Sequence, residues 1–384
     1  MLRTLPYLAW SIPAFALHLL AALPDAGWRH IWKRVPLFFG MWLLFTLLNL
    51  LHLAGHLLDE LLFPGYRRQP VTRPVFITGI PRSGTTYLQR LLGKHPGFST
   101  FSTWEALLAP SLTERHLFRL LGLLLKPLDS GIVAARRKLF QRMDHIHRVR
   151  LLEPEEDFLL LLPLLGCFLL VFPCPQSASF WALGKADSAV SDRRRRRFMA
   201  YYDACLKKQL YYHGGNLRLL SKNPSFTSWI PALLDYYPDA QVIACTRPPL
   251  EVVPSQLSAI RPAMNLLGGH RLSPAVQDGL METLHHYYGL LGQLRQDGRI
   301  FFLPMNTLRN NLEVALTDLA RFLGDNPDHS PITTLVDGKA GDYQSKHQYS
   351  LADFHLAAAI VENRFSDVWP LPGEQAAQRN GSLL

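Results

Sequence analysis

An apolar run that ends in a glycine- and hydroxyl-rich turn and opens at once into helical text constrains this chain more than any other stretch: Val75 to Thr86, VFITGIPRSGTT. A strand, a tight turn and a helix in that order aim several backbone N–H groups at one spot. The helix dipole adds partial positive charge there, so the segment makes an anion cradle suited to phosphate or sulfate. Gly79 and Gly84 have the GxxxxG spacing of a triphosphate-binding loop, and Thr86 fills its Ser/Thr slot. Thr85, however, stands where that motif needs its lysine, and the loop's charge comes from Arg82. A triphosphate needs a lysine spanning its β and γ groups, whereas a guanidinium earlier in the loop suits a smaller, less charged terminal group.

A second element lies downstream. Ala240 to Thr246, AQVIACT, reads as a buried strand; Arg247 follows it, and Ser255 comes eight residues later. The string P-R-S-G-T-T with its amphipathic helix (Tyr87, Leu88, Leu91, Leu92) resembles the 5′-phosphosulfate loop of PAPS-dependent sulfotransferases, and Arg247 with Ser255 resembles their 3′-phosphate pair. Pro154-Glu155-Glu156-Asp157, Lys222-Asn223-Pro224, Tyr236 to Ala240, and Ser345, His347 and Tyr349 extend the likeness to the bacterial-type branch, over about residues 57 to 350. The resemblance implies PAPS as co-substrate, with Arg82, Ser83, Gly84, Thr85 and Thr86 on the phosphosulfate and Arg247 and Ser255 on the 3′-phosphate. The sulfuryl group carries fewer charges than a phosphoryl group, so no metal is expected. Two strings depart from the family: Ser225 and Phe226 follow Lys-Asn-Pro where many relatives carry His or Asn, and Met305-Asn306-Thr307-Leu308 replaces an acidic Tyr-Glu-Asp-Leu type of string.

The acceptor hydroxyl needs a general base within hydrogen-bond reach. Glu105 is the expected base because STFSTWEALL follows the loop and its helix at a place comparable to the catalytic glutamate of related enzymes. Its alternative is a helix-start glutamate beside a cap at Ser102 or Thr103. His145 and His147 are rival bases, since other branches use histidine. Lys222, closing the strand LRLLS, is expected near the bridging oxygen, or else is an ordinary strand-end lysine. The acids of Pro154 to Asp157 read as a helix start. Arg193 to Arg197 reads as a solvated helix face, or as a contact for anionic lipid heads or an acidic substrate. Lys339, Lys346 and His347 sit where the family's terminal loop closes over the nucleotide.

From about Thr72 the organisation is α/β: short apolar strands at Val75 to Thr78, Leu217 to Ser221, Gln241 to Thr246 and Ile300 to Leu303, separated by helical text. Such strands belong to a parallel sheet covered on both faces. The expected fold is a three-layer, P-loop-like parallel sheet flanked by helices, a sulfotransferase domain over 71–369 with a leucine-rich helical cap over 106–212. Phe158 to Val171 is too short to span a bilayer and reads as a buried helix. A polar tail over 370–384 is expected to be loosely held. The four cysteines form no CxxC pair, which indicates neither a zinc site nor a disulfide framework. The net charge of +10 comes from basic residues without interleaved aromatics, so a bis-anionic nucleotide and an acidic membrane surface explain it in place of nucleic acid.

Residues 1–70 form an apolar helical segment. Thr4 to Pro24 and Val35 to Leu58 are free of Asp, Glu, Lys and Arg, and each is long enough to cross a bilayer at about 20 residues. In the second, Asn49, His52, His56, Asp59 and Glu60 share a helical face, a polar stripe unsuited to lipid. If both segments crossed, the basic connection Arg29, Lys33 and Arg34 would favour the inside and leave the catalytic part across the membrane from cytoplasmic PAPS. The expectation is a monotopic hairpin on the cytoplasmic face, and the apolar appendages and cap favour a lipid, sterol or glycolipid hydroxyl as acceptor. A P-loop kinase, or a non-catalytic membrane protein keeping the fold, are the alternatives.

Overall fold

A computed structural model describes residues 1–26, 28–125, 154–268, 272–335, 350–371 and 374. Five parallel strands make the sheet: β1 (Val75–Gly79), β2 (Phe98–Ser99), β3 (Arg218–Lys222), β4 (Gln241–Thr246) and β5 (Ile300–Pro304). Their order is β2-β3-β1-β4-β5, with Val75 in register with Leu220 on one side and Gln241 on the other. Alternation along the strands serves two cores. Phe76, Val242 and Ala244 face one apolar cluster, while Val75, Ile77 and Ile243 face another with Leu88, Leu316 and Leu319. A sheet buried on both faces needs apolar residues at consecutive positions, which is why these strands read as runs and not as alternation. The three-layer expectation holds, and the strand limits match the sequence reading to within a residue or so.

Chain order places β1 between β3 and β4, so the chain leaves β1 and returns on either side of it. The ends of β1, β3 and β4 therefore open on one crevice, the usual ligand position of an open α/β sheet. After β1, helix α3 (Thr85–Leu92) packs back on the sheet through Leu88, Leu91 and Leu92. Past Gly97 come α4 (Thr103–Leu107) and α5 (Leu112–Leu125). The run after Pro154 is buried as expected, but as two 3-10 pieces, Asp157–Leu164 and Phe168–Val171, separated at Leu165, in the left-handed region, and Gly166. Then follow α6 (Asp192–Tyr212), α7 (Pro249–Gly268) after β4, and α8 (Pro274–Gln293). The tail begins better held than expected: Leu371 is buried, and Glu374 accepts a 2.7 Å hydrogen bond from the Thr246 hydroxyl.

The N-terminal hairpin is α1 (Leu5–Ala22) and α2 (Trp28–Leu62), both long and apolar enough to cross a membrane by length and composition. The polar stripe of α2 faces protein. Asn49 donates 2.8 Å to the Ser11 hydroxyl, which itself donates to the Pro163 carbonyl. His52 Nδ1 lies 2.6 Å from Glu114, and Asp59 accepts from the backbone of Leu112 and Thr113 and from Lys208 Nζ at 2.9 Å. Lys208 also donates to His56, whose other nitrogen meets Tyr201. Burial pulls Lys208 below its ordinary range while Asp59 opposes that, and burial with the nearby Lys208 charge keeps His56 neutral. The opposite face of α2 is apolar and exposed from Trp32 through Phe39, Leu43, Leu47, Leu50, Leu57 and Leu61.

Candidate active site

The crevice at the strand ends is a cleft of about 590 Å³. Its polar end is made by the loop after β1 and by the start of α7. Gly79 takes φ 103°, and a Cβ there would stand 2.3 Å from the Cys245 carbonyl oxygen, so only glycine lets β1 turn this close to β4. The Ile80 N–H donates to that same carbonyl at 2.8 Å. Arg82 adopts φ 64°, a left-handed conformation rare outside glycine, and Gly84 follows at φ 85° before α3 begins. Thr227, on the turn after β3, clamps the loop's base: its hydroxyl accepts from the Gly79 N–H at 3.0 Å and donates to the Gly79 carbonyl at 2.6 Å.

The two sequence elements meet here. Arg82 Nε donates to Ser255 Oγ at 3.1 Å, and Arg247 Nη1 donates to the Arg82 carbonyl at 3.0 Å. Arg82, Gly84, Thr85, Thr86, Arg247 and Ser255 all line the cleft. Ser83 is fully buried, and its Oγ has no hydrogen-bond partner among the described residues. Two guanidiniums, a chain of hydroxyls, a helix start and an orphaned buried donor fit a ligand carrying two anionic groups. Glu251 holds Arg247 from the solvent side at 2.8 Å. Arg309, on the helix after β5, adds a third cation to the lining that the sequence reading had not singled out.

The other end of the cleft is apolar, with Phe158, Phe168, Phe172, Ile260, Leu284 and Tyr287. Among the described residues one carboxylate lines the cleft, that of Glu156. Its Oε1 accepts a 2.7 Å bond from Lys222 Nζ, and Lys222 is itself buried at the end of β3. Pro154 bridges Ser102, which anchors this acidic string beside the sheet, and Glu156 and Asp157 stand at the N-cap and first turn of the 3-10 helix that follows, as a helix start. Next along, Asp157 is buried against the hydroxyls of Tyr202 (2.5 Å) and Ser221 (2.9 Å); burial raises it to about 7 although both hydroxyls oppose that.

Glu105 lies elsewhere. Its Oε2 accepts from the Ser102 N–H at 2.8 Å and from the Ser102 hydroxyl at 2.6 Å, a capping box on α4, and Oε1 faces Arg115 at 3.8 Å and His213 at 3.5 Å. Burial alone would raise this carboxyl, but His213, Arg115 and Ser102 outweigh it and hold it down at about 2. It does not line the cleft, so the helix-start alternative describes it. His145, His147, Lys339, Lys346 and His347 lie outside the described residues. Glu156 was visible in the sequence only as part of an acidic string; Thr227 and Tyr287 carried no signal, because a lone threonine or tyrosine in helical text has no readable partner.

Comparison with known proteins places this geometry. Residues 74–326 match the model of the sulfotransferase family. The fold is similar to the crystal structure of sulfotransferase STF1 from Mycobacterium tuberculosis, at 21% identity and a TM-score of 0.61, covering 91% of each chain. It is also similar to sulfotransferase STF9 from Mycobacterium avium, at 18% identity and a TM-score of 0.64, covering 82% of this chain and 80% of that one. A search of curated proteins by sequence returns no match. With the family model spanning the whole sheet and both arginine elements, the chain belongs to the sulfotransferase family.

Proposed function

We propose that this chain moves a sulfuryl group from PAPS to a hydroxyl on an apolar acceptor. The observation that carries the reading is the meeting of Arg82, Arg247 and Ser255 on a cleft whose lining is otherwise largely apolar and, among the described residues, holds the one carboxylate of Glu156. Arg82 with Ser83 to Thr86 holds the phosphosulfate, and Arg247 with Ser255 the 3′-phosphate. PAPS supplies the sulfuryl group, with adenosine 3′,5′-bisphosphate as leaving group.

In this reading Glu156 is the base, in place of Glu105. Its carboxylate takes the acceptor's hydroxyl proton as the acceptor oxygen bonds to sulfur and the bond from sulfur to the 5′-phosphate oxygen breaks. Lys222 is a positioning residue that holds the Glu156 carboxylate in place on the cleft wall. The aromatic and aliphatic walls select a hydrophobic alcohol, of lipid, sterol or glycolipid kind, and exclude water from the transfer. The exposed apolar face of α1 and α2 supports a site of action on the cytoplasmic surface of a membrane.

Thermal stabilisation by adenosine 3′,5′-bisphosphate, with ATP and magnesium alongside, tests the donor site. At a hundred times its Kd the bisphosphate adds about 2.7 kcal/mol, lost in Arg82→Ala and Arg247→Ala. A shift with ATP and magnesium alone, or none in folded protein, sinks the reading.

A further inference from the structure

The arginine run Arg193 to Arg197 opens α6, and helical geometry divides it in two. Arg195 and Arg196 line a depression shared with Asp187, Asp192 and Asp235, and Arg195 pairs with Asp192. Arg193, Arg194 and Arg197 fall on the other side. They line a groove of about 350 Å³ against Tyr7, Trp10 and His18 of α1, and among the described residues neither Asp nor Glu lines it. Arg197 lies 3.3 Å over the Tyr7 ring, and Arg194 stacks on Phe198 and donates to the Leu165 carbonyl at 3.2 Å. Among the described residues no carboxylate pairs with any of these three arginines. Burial lowers Arg194 and the neighbouring Arg197 charge adds to that, while burial and Arg194 lower His18, as expected where positive charge accumulates without a counter-ion.

The groove is continuous with the apolar face. Trp10 lines it and is also 61% exposed, in the same α1 stripe as exposed Leu17 and Leu20 and beside the exposed leucines of α2. An aromatic–arginine groove at the rim of an apolar surface matches the layering of a lipid leaflet, with anionic phosphate at the headgroup level and acyl chains below. The buried stripe from Asn49 to Asp59 holds α2 lengthwise against the domain, an arrangement that suits a hairpin lying on a bilayer more than one crossing it. From these observations we infer that Arg193, Arg194 and Arg197 with Tyr7 and Trp10 form a headgroup site for anionic phospholipid, which docks the α1–α2 face on a negatively charged bilayer surface. The inference is independent of the sulfuryl-transfer reading.

Flotation of the full chain with vesicles of phosphatidylcholine, with or without about a third phosphatidylglycerol, tests it, each variant being checked by its melting curve. Each arginine facing an anionic surface strengthens binding roughly fivefold, so Arg193→Gln/Arg197→Gln should weaken binding to anionic vesicles roughly 25-fold. The same variant should bind neutral vesicles as wild type does, and Arg196→Gln, on the acid-lined side, should change little. Half-molar salt should reduce the preference for anionic vesicles. Equal binding of wild type to neutral and anionic vesicles overturns the inference, as does an unchanged preference in the double variant. Loss of binding to anionic vesicles in soluble glycerol phosphate, at ionic strength held constant and equal to the loss in the double variant, assigns the groove to a free anion and overturns it too.

Discussion

Two buried lysines, Lys208 beneath α2 and Lys222 beneath the cleft, are each paired with a carboxylate, and the pairs differ in one respect. The side chains of Lys208 and Asp59 are both 0% exposed, and every nearby donor closes on the same cluster. Lys222 is nearly as buried, but Glu156 keeps 26% of its side chain open, on the wall of the cleft. The first pair is sealed and can only hold helices together; the second is open on one side and can exchange a proton with a bound molecule. Residue type does not separate them. Where the carboxylate's remaining lone pairs point does.

Asp59→Ala tests the sealed pair and should have the largest effect. It strands a buried ammonium at a cost of about 3–5 kcal/mol, seen as a collapsed melting temperature or loss of soluble protein. Adding Lys208→Met should restore much of the loss, and a double variant no better than the single would break the comparison. Glu156→Gln tests the open pair: turnover should fall roughly 10²- to 10⁴-fold while bisphosphate affinity and melting stay near wild type. Glu105→Gln should do the reverse, costing about 1–2 kcal/mol of stability through the lost cap with turnover nearly kept. A collapse of turnover in folded Glu105→Gln would return the base to that residue.

Smaller effects sharpen the picture. Arg247→Ala should weaken bisphosphate binding about 10- to 100-fold by titration calorimetry, whereas Glu251→Ala should barely change it. Asp157 sets a pH dependence of the opposite sign to a surface carboxylate. Its folded value is raised to about 7 from an ordinary 3.8, so the folded state holds a proton that the unfolded state has released, and stability falls as pH rises through that window and levels off above it. Asp157→Asn should remove this slope, matching wild type near pH 4 and exceeding it near pH 8 in denaturant titrations. Glu105, held at about 2, acts in a separate window: its contribution is full above about pH 4.5 and is lost as pH falls toward 2.

The sheet and the two anion elements were legible because each is local. Val75 to Gly79 and Gln241 to Thr246 are apolar runs ending in punctuation, and the spacing from Arg247 to Ser255 is carried by one helix. The position of Glu156 on the cleft wall was not legible, because it depends on Lys222, 66 residues away, and on Pro154 bridging Ser102. Glu105 shows the same limit: its cap at Ser102 was readable in the sequence, while Arg115 and His213, which flank its carboxylate, were not. The polar stripe of α2 was readable as a stripe, but its partners on α5 and α6 were not, since contacts between helices leave no spacing rule in the text.

That stripe has a consequence in time. His56 waits for Tyr201 and Lys208, which follow it by 145 and 152 residues. At 5–20 residues per second, a ribosome needs about 7–30 s to supply them. Through that interval the hairpin has one face apolar and the other carrying groups whose partners are not yet made. Residues 1–70 expressed alone should therefore need detergent, vesicles or a chaperone to stay dispersed.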